Sequence, residues 1–326
     1  MLSNKTNKEM NTVVIIGAGQ LGSRHLQGVK LASHSLNIWV CDTSFDSLRV
    51  AEERYHQISS PTMHTVHFVN DWGQIPLNID VVIVATGSIP RAGIVDALIT
   101  THNVRYMVLE KFLFPRMAEY DAIQAMIDQY HVPTFVNCTR RMWQLYDLVA
   151  MHIDRTKPIK MQHIGGDWGL CCNSIHYIDI FMHLSGAKSY TLDINGLIPE
   201  VIPSKRDGYI ELRGKEIIIT PEGNQLILEA NPEHVGVSSD VIINGDRQIR
   251  IDETKGVVEI GDLQISAPIQ YQSALSGIFV DNLLSSGTCA LTPYTESAQY
   301  HKIFLSQIGP FVNTLLGTNS DTCPIT

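Results

Sequence analysis

The sequence predicts an α/β chain of two domains: a doubly wound parallel sheet, then an α+β domain with a mainly antiparallel open sheet. Three observations carry that expectation. Short β-branched runs alternate with helical stretches from Thr12 to about Val136, and a glycine pattern follows the first run at once. After about Asn137 the rhythm turns strand-rich. At 326 residues the chain is long enough for two separate cores. The expected division is 1–136 and 137–326, with the last helix packing back near the first domain.

In the first part the apolar runs are "TVVIIG", "NIWVCD", "TVHFV", "DVVIVAT", "YMVLEK" and "PTFVN". Several are almost unbroken, the pattern of parallel strands covered on both faces. Amphipathic stretches such as "SFDSLRVAEERYHQ" and "RMAEYDAIQAMIDQYH" lie between them. Right-handed crossovers then give the doubly wound sheet.

Beyond Asn137, the helical stretches "RRMWQLYDLVAMHI" and "NSIHYIDIFMHLSG" flank the strand-like "IKMQHIG". A run of strands follows, from "YTLDINGL" through "GYIELR", "EIIIT", "QLILEA", "DVIING", "QIRIDE" and "GVVEI". Turn signals such as "PEGN" and "NGD" separate them. Helical patterns return at "YQSALSGIFVDNLLSSG" and "TESAQYHKIFLSQIGPFVNTLL".

Composition narrows the function. With 44% hydrophobic and 17% charged residues the chain reads as an ordinary globular protein. A formal charge of −9 argues against nucleic acid or an anionic membrane as partner, since both favour basic surfaces. No apolar run is long enough to span a bilayer, and the opening "MLSNKTNKEMN" lacks the apolar stretch of a secretory signal. Cys41, Cys138, Cys171, Cys172, Cys289 and Cys323 show no zinc spacing, so reduced thiols in a cytoplasmic protein are expected.

The segment "VVIIGAGQLGSRH" places Gly17, Gly19 and Gly22 between an apolar strand and a helical stretch. Gly17 permits the tight turn, Gly19 lets amides approach a pyrophosphate, and Gly22 allows close helix–strand packing. Asp42 ends the second strand twenty residues beyond Gly22, placed to accept hydrogen bonds from ribose hydroxyls. No Arg or Lys follows it at once, which favours NAD over NADP. The glycine loop therefore reads as the dinucleotide site of a Rossmann-type domain.

Other segments carry a resemblance. "GAGQLGSRHLQ", "VVIVATGSIPRAGIVDAL", "VLEKFLF", "CTRRMWQLY", "IHYIDIF" and "TPYTESAQYHKIFL" stand in the order found in the Gfo/Idh/MocA family of NAD(P)-dependent oxidoreductases. The chain resembles that family, which acts largely on sugars and polyols. Glu110 and Lys111 match its Glu-Lys-Pro motif, and His176 with Asp179 matches its His-x-x-Asp. Three positions depart: Arg91 stands where many members carry histidine, Phe112 replaces the proline, and Cys172 replaces an aspartate. Without that proline, the usual reason for a cis peptide after the lysine is gone.

The resemblance implies that Gly17, Gly19, Gln20, Leu21, Gly22, Asp42, Ala85, Thr86, Glu110 and Lys111 meet the cofactor. It places Lys111, Cys172, His176 and Asp179 at the substrate, a carbohydrate-type small molecule, and implies a homodimer or homotetramer; Asn137, just after the sixth strand, and Arg141 are further substrate candidates, surface ion pairing being the other reading of Arg141. Hydride transfer from an alcohol carbon also requires loss of the hydroxyl proton, which suits a base near neutrality beside a cation. Lys111 and His176 are the candidates, His176 on a helix introduced by Asn173 as N-cap. Lys111 also reads as a solvated loop lysine, and His176 as a hydrogen-bonded structural histidine.

Asp179 has three readings: orienting His176, binding a substrate hydroxyl, or pairing with Arg140 or Arg141. Cys172, His176 and Asp179 have spacing compatible with a metal, but no second cluster supports one, and none is expected. The expectation is an NAD-dependent oxidoreductase of sugar, polyol or nucleotide-sugar hydroxyls. The alternative is an NAD-binding sensor of the same fold without turnover.

Overall fold

The computed structural model describes residues 10–234 and 238–326; the polar opening of the chain, residues 1–9, lies outside them. Six parallel strands begin the chain: β1 (Asn11–Ile16), β2 (Leu36–Cys41), β3 (Thr65–Val69), β4 (Asn78–Val84), β5 (Asn103–Leu109) and β6 (Thr134–Val136). They are connected through α1 (Gln20–Lys30), α2 (Phe45–His56), α3 (Ser88–Thr101) and α4 (Met117–Tyr130). Their order is β3-β2-β1-β4-β5-β6, so the chain reverses direction between β1 and β4. Ligands bind outside the carboxyl ends of strands at such a switch point.

The unbroken apolar runs have a direct cause. Val13 and Ile15 of β1 enter one core while Val14 and Ile16 enter the other, all at most 4% exposed. A strand covered on both faces has no polar side to display.

The second layer follows a 3-10 turn (Thr139–Met142) and α5 (Gln144–Met151). Trp143 lies extended between them and breaks the continuous helix that the sequence suggests. Then come β7 (Ile159–Gly165), α6 (Leu170–Ser185), β8 (Thr191–Leu197), the short pair β9 (Ile202–Pro203) and β10 (Ile210–Glu211), and β11 (Gly214–Ile219). After them run β12 (Gln225–Ala230), β13 (Ser238–Asn244), β14 (Arg247–Asp252), β15 (Val257–Ile260) and β16 (Leu263–Ser266). These form an eight-stranded sheet ordered β16-β15-β14-β13-β7-β12-β11-β8. Its neighbours run antiparallel except β7 and β12, which are parallel. "GYIELR" contributes only the two residues of β10, paired with β9 apart from the main sheet.

The chain then returns to the first sheet. Phe279, Val280 and Leu283 of α7 (Gln272–Ser286) are fully buried in the core shared with Val13 and Ile15. Burial of each contributes about 1.5–3 kcal/mol. α7 crosses α1 so closely that a Cβ on Gly28 would stand 2.8 Å from the Cβ of Ser276. β17 (Thr292–Pro293) joins β6 as an antiparallel edge. α8 (Tyr294–Leu316) lies against both α4 and α6, and the Tyr294 hydroxyl donates to Tyr120 O at 2.9 Å. Residues after 137 thus complete the first layer as well as building the second. Among the described residues no helix is long and apolar enough to cross a membrane.

Candidate active site

A cleft of about 1000 Å³ opens where the carboxyl ends of β1, β2 and β4 face α6 and the β9–β10 hairpin. Gly17, Gly19, Gln20, Leu21, Asp42, Ala85 and Thr86 line one side of it. Each glycine has a distinct steric reason. Gly17 has φ +93°, and a Cβ there would also press on Ala85 and Thr86 at 3.2 Å. A Cβ on Gly22 would fall 1.8 Å from Gly17 O, so α1 could not start where it does. A Cβ on Gly19 would meet nothing within 4 Å; its Cα faces open space.

Asp42 holds the loop from below. Its Oδ2 accepts the Ala18 N–H at 2.6 Å and its Oδ1 accepts the Ser44 N–H at 2.8 Å. Arg54 arrives from α2, donating to Gln20 Oε1 at 2.7 Å, a cation that sequence proximity to Asp42 did not reveal. Thr86 Oγ1 is buried with no partner beside this loop. An outward-facing glycine, a helix N-terminus and an unpartnered hydroxyl fit a dinucleotide.

Cys172, Trp168, Gly169 and Asn173 line the facing wall. α6 starts at Leu170, earlier than the Asn173 cap that the sequence suggests, with Gly169 at the cap position. Asn173 Nδ2 instead donates back to Trp168 O at 2.8 Å and Gly169 O at 3.0 Å. The cap comes from another strand: Glu211 of β10 accepts the N–H groups of Cys171 and Cys172 at 2.8 and 2.9 Å. A carboxylate at a helix N-terminus is stabilised by the helix dipole. Nothing in "GYIELR" marks Glu211 beyond an inward-pointing charge.

Lys111, just beyond β5, reaches across to this helix, and its Nζ donates to Cys172 O at 2.7 Å. Burial pushes its amine below the ordinary lysine value. One turn further along α6 stands His176, whose Nδ1 is buried without a partner. Burial, reinforced by the charges of Lys111 and Arg140, holds its imidazole well below the ordinary histidine range. Cys172 is pushed up to about 11, chiefly by burial and then by Glu211, so its thiol stays protonated at neutral pH.

Other expected site residues lie behind the cleft. Glu110 is 2% exposed and accepts from His25 Nε2 at 2.8 Å and from Asn137 Nδ2. Burial alone would raise its carboxyl; the His25 and Asn137 hydrogen bonds and the Lys111 charge outweigh this and lower it. Asn137, expected at the substrate, donates also to Gln272 Oε1 of α7 at 2.7 Å. Asp179 is fully buried and meets Arg141 Nε at 2.8 Å and the Thr292 hydroxyl at 2.6 Å. The Asp179–Arg141 pair, extended by Glu296 at 2.5 Å, ties α6 to α8. Asp179 and Arg141 have their partners within the protein and do not line the cleft; Lys111 and His176 do not line it either, and Lys111 is tied to it through Cys172. With Asp179 so held, Cys172, His176 and Asp179 do not converge, and no group suited to a metal occurs among the described residues.

Arg91 has a visible task. It is fully buried, and its guanidinium donates to the main-chain oxygens of Thr86, Phe112 and Leu113. It thereby joins the loops after β4 and β5 that carry Thr86 and Lys111. The Lys111–Phe112 peptide is cis even without proline. Arg140 pairs with Glu253 at 2.7 Å and lies over the Tyr177 ring at 4.0 Å, away from the cleft lining. Trp168 lines the cleft, whereas Trp72 and Trp143 pack on the core.

The strand order, the glycine loop at the switch point and the open second sheet define a two-domain fold: a Rossmann-type parallel sheet followed by a mainly antiparallel open sheet. The chain is similar over 94% of its length to an oxidoreductase from Agrobacterium radiobacter in complex with NAD+, L-tartaric acid and magnesium. That match covers 97% of the other chain at TM-score 0.71 and 14% identity. UDP-N-acetylglucosamine 3-dehydrogenase GnnA from Acidithiobacillus ferrooxidans matches 94% of this chain and 98% of its own, at TM-score 0.70 and 13% identity. The WlbA dehydrogenase from Bordetella pertussis, in complex with NADH and UDP-GlcNAcA, matches 93% and 97% at TM-score 0.68 and 15% identity. Identities this low establish the fold alone. No protein-family model and no curated protein sequence matches the chain.

Proposed function

We propose that the protein is an NAD-dependent oxidoreductase that moves a hydride between nicotinamide and a hydroxyl-bearing carbon of a sugar, polyol or sugar derivative. One observation carries the reading: Lys111 from the first sheet is hydrogen-bonded to the main-chain oxygen of Cys172, which lines the same cleft as the glycine loop, one turn of α6 before His176. Gly19, Gln20, Leu21 and Thr86 would hold the dinucleotide, with Asp42 on the adenosine ribose. Bound nicotinamide would supply the hydride acceptor. Two of the similar structures hold NAD+ or NADH, which supports this assignment.

The chain's own work is proton management. Burial and nearby cations favour the neutral imidazole of His176 that a base requires, and its buried Nδ1 has no partner within the protein. Lys111 supplies positive charge where alkoxide character develops. Cys172 orients Lys111 through its main-chain oxygen and is no nucleophile, its thiol being protonated.

We also assign a homodimer or homotetramer to the outer face of the second sheet. There Ile219 and Ile243 are 41% and 44% exposed beside Ile217 and Ile227. The protein would act in the cytoplasm.

The test is a screen of polyols, sugars and nucleotide sugars read by nicotinamide absorbance, with molar mass measured by light scattering. NADH turnover with one class of compound supports the enzyme. Tight NADH binding with no turnover across the screen would instead favour the sensor.

A further inference from the structure

Two stretches with no role in the proton chemistry close the cleft: the hairpin 202–211 and residues 323–326. Cys323, Ile325 and Thr326 are 5%, 0% and 7% exposed. The first domain holds this segment through the Cys323 N–H, which donates to Pro115 O at 3.0 Å, and through Ser88 Oγ, which donates to Ile325 O at 2.8 Å. The hairpin holds it through the Ile210 N–H, which donates to Pro324 O at 2.9 Å, and Arg206 Nη1, which donates to Thr326 Oγ1 at 2.8 Å. The segment therefore spans both domains.

Thr326 lines the cleft together with Arg206 and Cys172. Cys172 is the residue whose main-chain oxygen takes the Lys111 amine. About 1000 Å³ remains open with the segment in place. Ligand pockets run to about 300–1000 Å³, so residues 323–326 are a wall and not a plug.

The charge of this wall is unusual for a chain of net charge −9. Among the described residues the Arg206 guanidinium donates to the neutral Thr326 hydroxyl and forms no ion pair. Of the carboxylate side chains that line the cleft, Asp42 holds the Ala18 and Ser44 N–H groups, Glu211 those of α6, and Asp167 pairs with Arg213 at 2.6 Å. A guanidinium presents a planar fork of donors matched to carboxylate or phosphate oxygens. The Thr326 hydroxyl accepts from Arg206, which fixes the fork and leaves its own proton to donate.

We propose that Arg206 and Thr326 form a recognition element for an acidic group, carboxylate or phosphate, on the substrate. The proposal rests on the oxidoreductase reading only for the word substrate; the recognition itself is a binding event. The competing anion is the cofactor pyrophosphate, which the amides at the start of α1 serve.

The experiment is calorimetric titration of the NADH-loaded full chain with D-glucuronate, D-glucose 6-phosphate and D-glucose. One acid should bind at least about tenfold tighter than glucose, the size expected of a charge-assisted hydrogen bond. Preference for glucuronate or for the 6-phosphate identifies the acidic group. Arg206→Gln should remove about that tenfold, Arg206→Lys should restore part of it, and Thr326→Val should cost a few-fold. NADH affinity and melting temperature should hold in all three variants.

Glucose binding as tightly as both acids, or no binding of either acid, overturns the proposal. So does an Arg206→Gln protein that keeps its acid affinity, or one that loses NADH affinity instead. Turnover is read separately. Acid binding with no turnover of any compound in the screen sinks the enzyme reading and leaves this one standing; turnover of neutral sugars without acid preference does the reverse.

Discussion

Lys111 Nζ donates to the main-chain oxygen of Cys172 at 2.7 Å, joining the loop after β5 to the first turn of α6 across the two layers. A lysine held by a helix carbonyl cannot swing into solvent. Its charge stays beside His176, where it helps keep the imidazole neutral.

The first prediction concerns that pair. His176→Ala and Lys111→Ala should each lower turnover by about 10²–10⁴, the usual worth of a positioned acid–base group. NADH affinity should be nearly unchanged in both, because neither is assigned to the pyrophosphate or adenosine. A base must be neutral to act, and His176 is held well below the ordinary histidine range. The acid limb of kcat/KM should therefore fall below that range and vanish in His176→Ala. A wild-type rate and pH profile in His176→Ala, with hydride transfer shown to be rate-limiting, would move the role to Lys111.

Two glycines three residues apart should behave differently. Gly22→Ala places a methyl 1.8 Å from Gly17 O, so it should lower the melting temperature and abolish NADH binding. Gly19→Ala meets nothing within 4 Å, so it should fold and melt normally while binding NADH weakly. Calorimetry and fluorescence titration of both variants check this. Equal destabilisation of the two would refute the steric argument.

Cofactor choice should follow Asp42. Its carboxylate already takes the N–H groups of Ala18 and Ser44, and a 2′-phosphate would meet its charge. NADH should bind at least about tenfold tighter than NADPH, and Asp42→Ala should narrow the gap. Arg54 beside Gln20 is a cation placed to work against it. Tighter binding of NADPH by the wild-type chain would assign that role to Arg54.

Glu216 on β11 gives a stability test. It is fully buried, accepts from the Ser174 hydroxyl at 2.6 Å, and burial pushes it up to about 8. An unfolded glutamate ionises near 4.5, so between there and about 8 the folded protein keeps a proton that the unfolded chain has lost. Stability should fall as pH rises through that window, by at most about 1.4 kcal/mol per unit. Glu216→Gln keeps the side chain neutral and should flatten the curve. Parallel curves for the two proteins in denaturant titrations from pH 5 to 8 would count against a protonated Glu216.

The sequence by itself determined whatever depends on short-range pattern. Unbroken apolar runs such as "DVVIVAT" can only be buried on both sides, so the parallel sheet was legible from composition along the chain. The glycine loop was equally legible, because turn, approach and packing occupy six consecutive residues and their sterics are local. Tertiary structure alone decided which charges face the cleft. Asp179 and Arg141, 38 residues apart, neutralise one another on α6 and behind it, and no spacing rule announces that. Glu211 caps α6 from 39 residues downstream, and Arg206 meets Thr326 across 120 residues. A buried charge takes whichever partner the fold brings within about 3 Å, and the layers choose that partner only when α7, β17 and residues 323–326 return to close them.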